Sequence, residues 1–379
     1  MTAIRTPATP AAPASLDVGT RAPVPIDEVR DLLRGLDRRQ RQAVTHGDGP
    51  LLVVAGPGTG KTEVITRRVA WVIASKRARP SEILALTFTE RAAEEMQARV
   101  DLLVPYGQAD TAIHTFHAFG DWILRQHGHA IGRADDPRVI GRSQAIVLLR
   151  DHVFELGLER YRPLGDPTKF VGALVDLFGR AKEEGLAPDD LQAYAAELEA
   201  GVRAVATDVQ DDGAREALEG LLDEAASTGE LGRAYAAYQR LLAERSLVDH
   251  GDQVAEAVRL LDERPAVRQA LRRRFRYVVV DEAQDANPQQ MRLVRLLVGH
   301  GGNVVFVGDD DQAIYSFRGA VGQGLAGLDE SYGPVKDVVL RRNYRSRKPI
   351  LEAARRLVRH NDPDRLEVSR GLDKTLTAV

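Results

Sequence analysis

Residues 51–62 read LLVVAGPGTGKT, and EVITRRVAWVIA follows at 63–74. The first four residues are an uninterrupted apolar run, as expected of a strand buried on both faces. Ala55-Gly56-Pro57-Gly58-Thr59-Gly60-Lys61-Thr62 then makes a glycine-rich turn. The next twelve residues carry helical apolar spacing. Strand, glycine turn and helix in this order form a phosphate cradle. The glycines let backbone N–H groups face inward, and the helix N-terminus adds the positive end of its dipole. Lys61 is placed to reach β- and γ-phosphates, and the Thr62 hydroxyl to meet a magnesium ion. The fold this implies is α/β, a P-loop domain built on a parallel sheet.

Three further apolar runs share the rhythm of strand, turn and helix: ILAL (83–86), YVVV (277–280) and VVFV (304–307). YVVV ends in Asp281-Glu282, which puts carboxylates at the C-terminal end of a strand, where open α/β sheets bind ligands. Asp281 suits a magnesium ligand, direct or through water. Glu282 suits the group that orients and deprotonates an attacking water. If 51–54 and 277–280 serve one nucleotide, they are expected to be neighbours in the sheet.

Between about 116 and 272 the strand rhythm gives way to helical spacing, as in PTKFVGALVDLFGRAKEEG and LGRAYAAYQRLLAER. This reads as a large all-helical insertion in the α/β domain. Residues 1–25, rich in Ala, Pro and Thr, read as a disordered leader. The acidic stretch 207–224 reads as a solvated loop and helix face.

The 379 residues carry 52 Lys and Arg against 55 Asp and Glu, so no global basic field advertises nucleic acid; a local basic groove stays open. The absence of cysteine excludes disulfides, zinc–thiolate sites and thiol nucleophiles. No apolar run approaches the roughly 18 residues of a membrane span, and no secretory signal opens the sequence. The composition points to a soluble cytoplasmic protein.

Beyond these residues, seven segments in order resemble the superfamily 1 DNA helicases of the UvrD/Rep/PcrA type. They are LDRRQRQAV, the P-loop, LTFTERAAEEM (86–96), HTFHAF (114–119), DEAQD, VGDDDQAIYSFRGA (307–320) and LRRNYRSRKPILEAA (340–354). Ala55 in place of the first P-loop glycine is a common variation in that group. The resemblance implies an ATP- and Mg²⁺-dependent motor moving 3′ to 5′ on single-stranded DNA, with 3′-tailed duplexes as substrates. It also implies possible repair or recombination partners and a monomeric state.

By the same resemblance Gln40 contacts adenine, Tyr344 stacks on the base, and Gln312 senses the γ-phosphate. Arg318 turns back to the phosphates, and Arg345 stabilises transition-state charge from a second motor domain. Phe88, Tyr315 and Phe317 become base-stacking residues, with Thr87, Thr89 and His117 on the DNA backbone. Phe317 stands where the family usually has Trp, and Glu90-Arg91 where it has Asn-Lys, which argues against Glu90 as a DNA contact. The corresponding division is 26–115 with 273–339 as the first, RecA-like motor domain (1A), 116–272 as the helical insertion (1B) and 340–379 as the start of a second RecA-like motor domain (2A). On that division most of the second domain is absent, as in a truncated product or fragment with little unwinding of its own. Two other readings remain: a DNA- or partner-binding module that keeps an ATP site without motor work, and an unrelated P-loop phosphotransferase.

Overall fold

Alternation along each central strand decides how the core is divided. In a strand successive side chains point to opposite faces. Leu52, Val54, Leu84, Leu86, Val278, Val280, Val304 and Phe306 enter one buried cluster. Their neighbours Leu51, Val53, Ala55, Ile83, Ala85, Val279, Val305 and Val307 enter another. A strand buried on both faces needs helices on both faces. A computed structural model, which describes residues 26–104, 110–134, 136–206, 211–314 and 325–379, has that arrangement.

Ten strands are present among the described residues: β1 (Leu51–Ala55), β2 (Ile83–Thr87), β3 (Ala112–Thr115), β4 (Arg138–Ile140), β5 (Leu247–Asp249), β6 (Tyr277–Val280), β7 (Asn303–Gly308), β8 (Lys336–Leu340), β9 (Arg342–Asn343) and β10 (Thr377–Ala378). Six form one sheet in the order β3-β2-β6-β7-β1-β8. Every pairing in it is parallel. The helices Lys61–Ala74 and Glu90–Leu103 cover one face through Val64, Ile65, Val69, Met96 and Val100. The helices Phe116–His127, His250–Glu263 and Pro288–Val298 cover the other through Phe119, Ile123, Val258, Leu261 and Leu293.

The expectation that β1 and β6 are neighbours is corrected. β7 lies between them. Two strand spacings separate them by roughly 10 Å, and the long side chain of Lys61 closes the gap.

Residues from Ile140 to Leu247 contribute a third apolar cluster, which includes Leu149, Phe178, Tyr238 and Leu242. The helix Phe116–His127 and the helices after Asp249 bury their faces against the main sheet instead. The helical unit leaves the sheet through β4 and returns through β5, which pair in parallel. Buried charges tie that joint. Lys182 Nζ lies 2.6 Å from Asp249 Oδ2 and 2.8 Å from Asp252 Oδ1. Tyr238 and Gln239 donate to the same two carboxylates. The Asp249 and Asp252 charges hold the Lys182 ammonium above its ordinary range despite full burial, which by itself acts to lower it.

The helix Lys348–Val358 buries none of its residues, and Ile350 and Leu357 are 61% and 72% exposed. Among the described residues, no helix is long and apolar enough to cross a membrane.

Candidate nucleotide and nucleic-acid site

The P-loop turns between β1 and the Lys61–Ala74 helix, with Gly58 and Gly60 at φ +74° and +87°. Their left-handed conformation requires glycine, and Gln40 Nε2 packs 2.8 Å from the point where a Gly60 side chain would begin. Thr59 is buried, and its hydroxyl donates to Gly56 O at 2.7 Å, bracing the loop from inside. Lys61 Nζ projects across the sheet end to Glu282 Oε2, 2.8 Å away.

Glu282 has φ +47° and ψ +45°. A non-glycine residue in that region stores strain, and such strain concentrates at functional sites. Asp281 Oδ1 accepts from the Glu282 N–H at 3.0 Å. Burial, and then the charge of Glu282, push Asp281 up to about 6. The same causes push Asp285 up to about 6, and its Oδ1 is buried with no partner. Three carboxylates thus face one lysine. That surplus of negative charge, with the buried Oδ1 of Asp285 left unpartnered, is the kind of donor chemistry a divalent cation takes.

Gln284, a residue whose role the sequence reading passed over, is 1% exposed and bridges the centre. Its Nε2 donates to Glu282 Oε2 at 2.8 Å, and its Oε1 accepts from the Asp309 N–H at 3.1 Å. Gln312 follows β7 and donates through Nε2 to Asp309 Oδ2 at 2.8 Å. Lys61, Asp281, Glu282 and Gln312 therefore meet at the carboxyl ends of three strands.

The segment after β8 docks on the same loop. The buried Asn343 side chain donates to Pro57 O, and the Tyr344 N–H donates to Gly58 O at 2.9 Å. The exposed Arg345 has its Cβ 2.6 Å from the point where a Gly58 side chain would begin. Gln40 is engaged with protein: its Nε2 donates to Thr59 O at 3.0 Å, and its Oε1 accepts from Asp37 N–H. The Tyr344 hydroxyl donates to Asp37 Oδ2 at 3.2 Å, so Gln40 and Tyr344 flank one end of the loop.

The expected DNA residues divide. Thr87 is fully buried, and its hydroxyl donates to the Thr89 carbonyl, so it faces protein rather than solvent. The Thr89 hydroxyl caps the Glu90–Leu103 helix by accepting from Ala92 N–H. Phe88 is half-buried beside them. Glu90 accepts from the Thr115 hydroxyl at 2.8 Å, a structural contact between a helix and β3. His117 is half-buried with its ring 6.1 Å from that of His250. Burial, and then the His250 charge, lower its basicity. Tyr315, Phe317 and Arg318 lie outside the described residues.

Comparison with known proteins follows the same line. Residues 36–333 match the model of the UvrD/REP helicase N-terminal domain. The chain belongs to this helicase family. Within it, the chain is 34% identical over 332 residues to an ATP-dependent DNA helicase PcrA of Bacillus subtilis, covering 87% of the chain and 40% of that protein. It is 36% identical over 355 residues to the ATP-dependent DNA helicase UvrD1 of Mycobacterium tuberculosis, covering 91% and 41%. The PcrA of Staphylococcus epidermidis is 33% identical over 330 residues, at 87% and 41%. The chain thus spans about two fifths of the length of the curated UvrD-family relatives it matches.

Proposed function

We propose that this chain is the ATP-binding and DNA-engaging portion of an ATP-dependent helicase or translocase that moves 3′ to 5′ on single-stranded DNA. The observation that carries it is the meeting of Lys61, Asp281, Glu282 and Gln312 at one end of the sheet, with the Asn343–Arg345 segment docked on the same loop.

ATP would draw Lys61 away from Glu282 to the β- and γ-phosphates. Asp281 and Thr62 would hold Mg²⁺, which supplies charge neutralisation across the phosphates. Released from Lys61, Glu282 orients the attacking water and takes its proton. Gln312 reads the γ-phosphate, and Arg345 with Arg318 stabilises the charge of the transferring group. Gln40 and Tyr344 turn to the adenine. Phe88, Tyr315 and Phe317 stack bases, a sequence-tolerant contact of about 1–3 kcal/mol each. Thr89 and His117 face the backbone, while Thr87 supports Thr89 from within. We place the helical unit between β4 and β5, treat residues from about 340 as belonging to a second motor domain, and read the protein as cytoplasmic and monomeric.

DNA-stimulated ATP hydrolysis tests this reading, measured on the chain joined to the remainder of a family motor. Lys61→Ala is expected to abolish nucleotide binding or turnover. Glu282→Gln is expected to retain binding and lose hydrolysis by at least a hundredfold, at the lower end of what removing a positioned base costs. Hydrolysis indifferent to DNA, or undiminished in Glu282→Gln, would overturn the assignment.

A further inference from the structure

Three consecutive carboxylates, Asp309, Asp310 and Asp311, separate β7 from Gln312. All three are gripped by a distant stretch of chain. Lys374 Nζ lies 2.7 Å from Asp309 Oδ1 and 2.7 Å from Asp311 Oδ2, and it also pairs with Asp310. Its side chain is 5% exposed. Arg365 forks Asp311 with bonds of 2.5 and 2.9 Å, and the Leu366 N–H donates to Asp310 Oδ2 at 2.7 Å. A bidentate guanidinium and a buried ammonium are among the stronger polar contacts a protein makes.

The same stretch reaches the P-loop. Leu376 packs 3.1 Å from the point where a Gly56 side chain would begin. Thr377 and Val379 donate backbone N–H groups to Arg341 O and Asn343 O, which forms the β9–β10 pairing. Asn343 holds Pro57. Residues 365–379 therefore run as a strap from the acidic knuckle to the base of Arg345. Beneath it lies a cavity of about 600 Å³, which Asp309, Asp311, Gln312, Gly56 and Pro57 help to line.

Asp309 is the shared member. One of its oxygens accepts from Gln312, the proposed γ-phosphate sensor, and the other pairs with Lys374. Buried carboxylates without a cation are costly, and an acidic knuckle beside a triphosphate would also repel it. Lys374 offsets both. We propose that Lys374 and Arg365 are positioning residues for nucleotide sensing. When the Gln312 amide leaves Asp309 for the γ-phosphate, Asp309 turns wholly to Lys374, and the strap resets its hold on the Arg341–Arg345 segment. This coupling rests on the reading of Gln312 given above.

Amide hydrogen exchange on the purified chain tests it, with Mg²⁺ alone, with Mg–ADP and with Mg–adenylyl imidodiphosphate at saturation, binding being followed separately by calorimetry. Exchange across residues 373–379 is expected to differ by roughly tenfold between the imidodiphosphate and ADP forms, as for a local opening free energy that changes with ligand. Gln312→Ala should abolish that difference. Lys374→Met should speed exchange in every state and lose the nucleotide dependence, and Lys374→Arg should restore it. Gln312→Ala keeps the test decisive if Lys374→Met does not fold. Bound imidodiphosphate with no change across 373–379, or Lys374→Met with the native dependence, would overturn the coupling alone. Failure of the imidodiphosphate to bind would overturn the nucleotide-site reading, and the coupling with it.

Discussion

Asp281 and Asp285 are held near 6 because burial and the Glu282 charge both resist their ionisation. Their native values lie above the ordinary 3.8, so between pH 4 and 6 the folded protein binds more protons than the unfolded chain. The slope of unfolding free energy with pH is then negative for these groups, and their ionisation weakens the nucleotide-free fold as pH rises through that window. For the partly buried Asp281, the rise from 3.8 to about 6 is on the order of 3 kcal/mol. Other carboxylates, Asp311 among them, are lowered by cations and oppose this trend. The clean readout is therefore a difference. In thermal melts with chelator, Asp285→Asn is expected to exceed the parent in Tm by a margin that grows from pH 4 to pH 6 and then levels off. Magnesium with nucleotide should shrink that margin, since the ion relieves the same repulsion. A margin independent of pH would show that the carboxylate charge is not the cause.

At the scale of elements, the helices Phe116–His127 and His250–Glu263 approach each other closely. A side chain at Gly120 would begin 2.2 Å from the Gln253 carbonyl oxygen, which is backbone and cannot swing aside. Gly120→Ala is expected to cost about 1–3 kcal/mol in denaturant unfolding, the usual range for overpacking, although alanine has the better helix propensity. The same scale explains which strands were legible. The four runs read as strands are β1, β2, β6 and β7, the interior of the sheet, where both faces are buried and the sequence is continuously apolar. β3 and β8 are its edges, and AIHT and KDVVL carry polar residues because one margin meets solvent. The short β4, β5, β9 and β10 left no pattern at all. The core of the candidate site was legible for a related reason: strand ends and glycine turns leave marks in sequence. Gln284, though quoted within DEAQD, carries no spacing that announces its bridging role. Nothing near Lys374 or Arg365 points to Asp309–Asp311, since that contact is made only by tertiary folding.

For the whole molecule, the helical unit is fixed to the sheet by more than its two connections. Lys182, fully buried, pairs with both Asp249 and Asp252 at the start of the helix that returns the chain to the main core. Lys182→Met keeps the volume but leaves two buried carboxylates without a cation. Breaking a buried pair in this way costs about 3–5 kcal/mol. The expected result is a lowered midpoint in denaturant unfolding, with part of the loss recovered by adding Asp252→Asn. No recovery would place the loss in packing rather than charge. Arg133, which lies between the Phe116–His127 helix and β4, pairs with Glu256 of the same returning helix at 2.9 Å.

The strand order has a consequence for how the chain is made. β1 is synthesised first, yet its two partners are β7 and β8, which begin at Asn303 and Lys336. At typical translation rates, the roughly 250 residues between them take from about ten seconds to a minute to emerge. Throughout that interval the run LLVV has both hydrogen-bonding edges open. The helical unit, whose core closes by Leu247, has time to fold before β6 is made. A ribosome stalled just before residue 303 would therefore carry a finished helical unit beside a half-built sheet with an exposed apolar edge, the kind of species that binds a chaperone or aggregates.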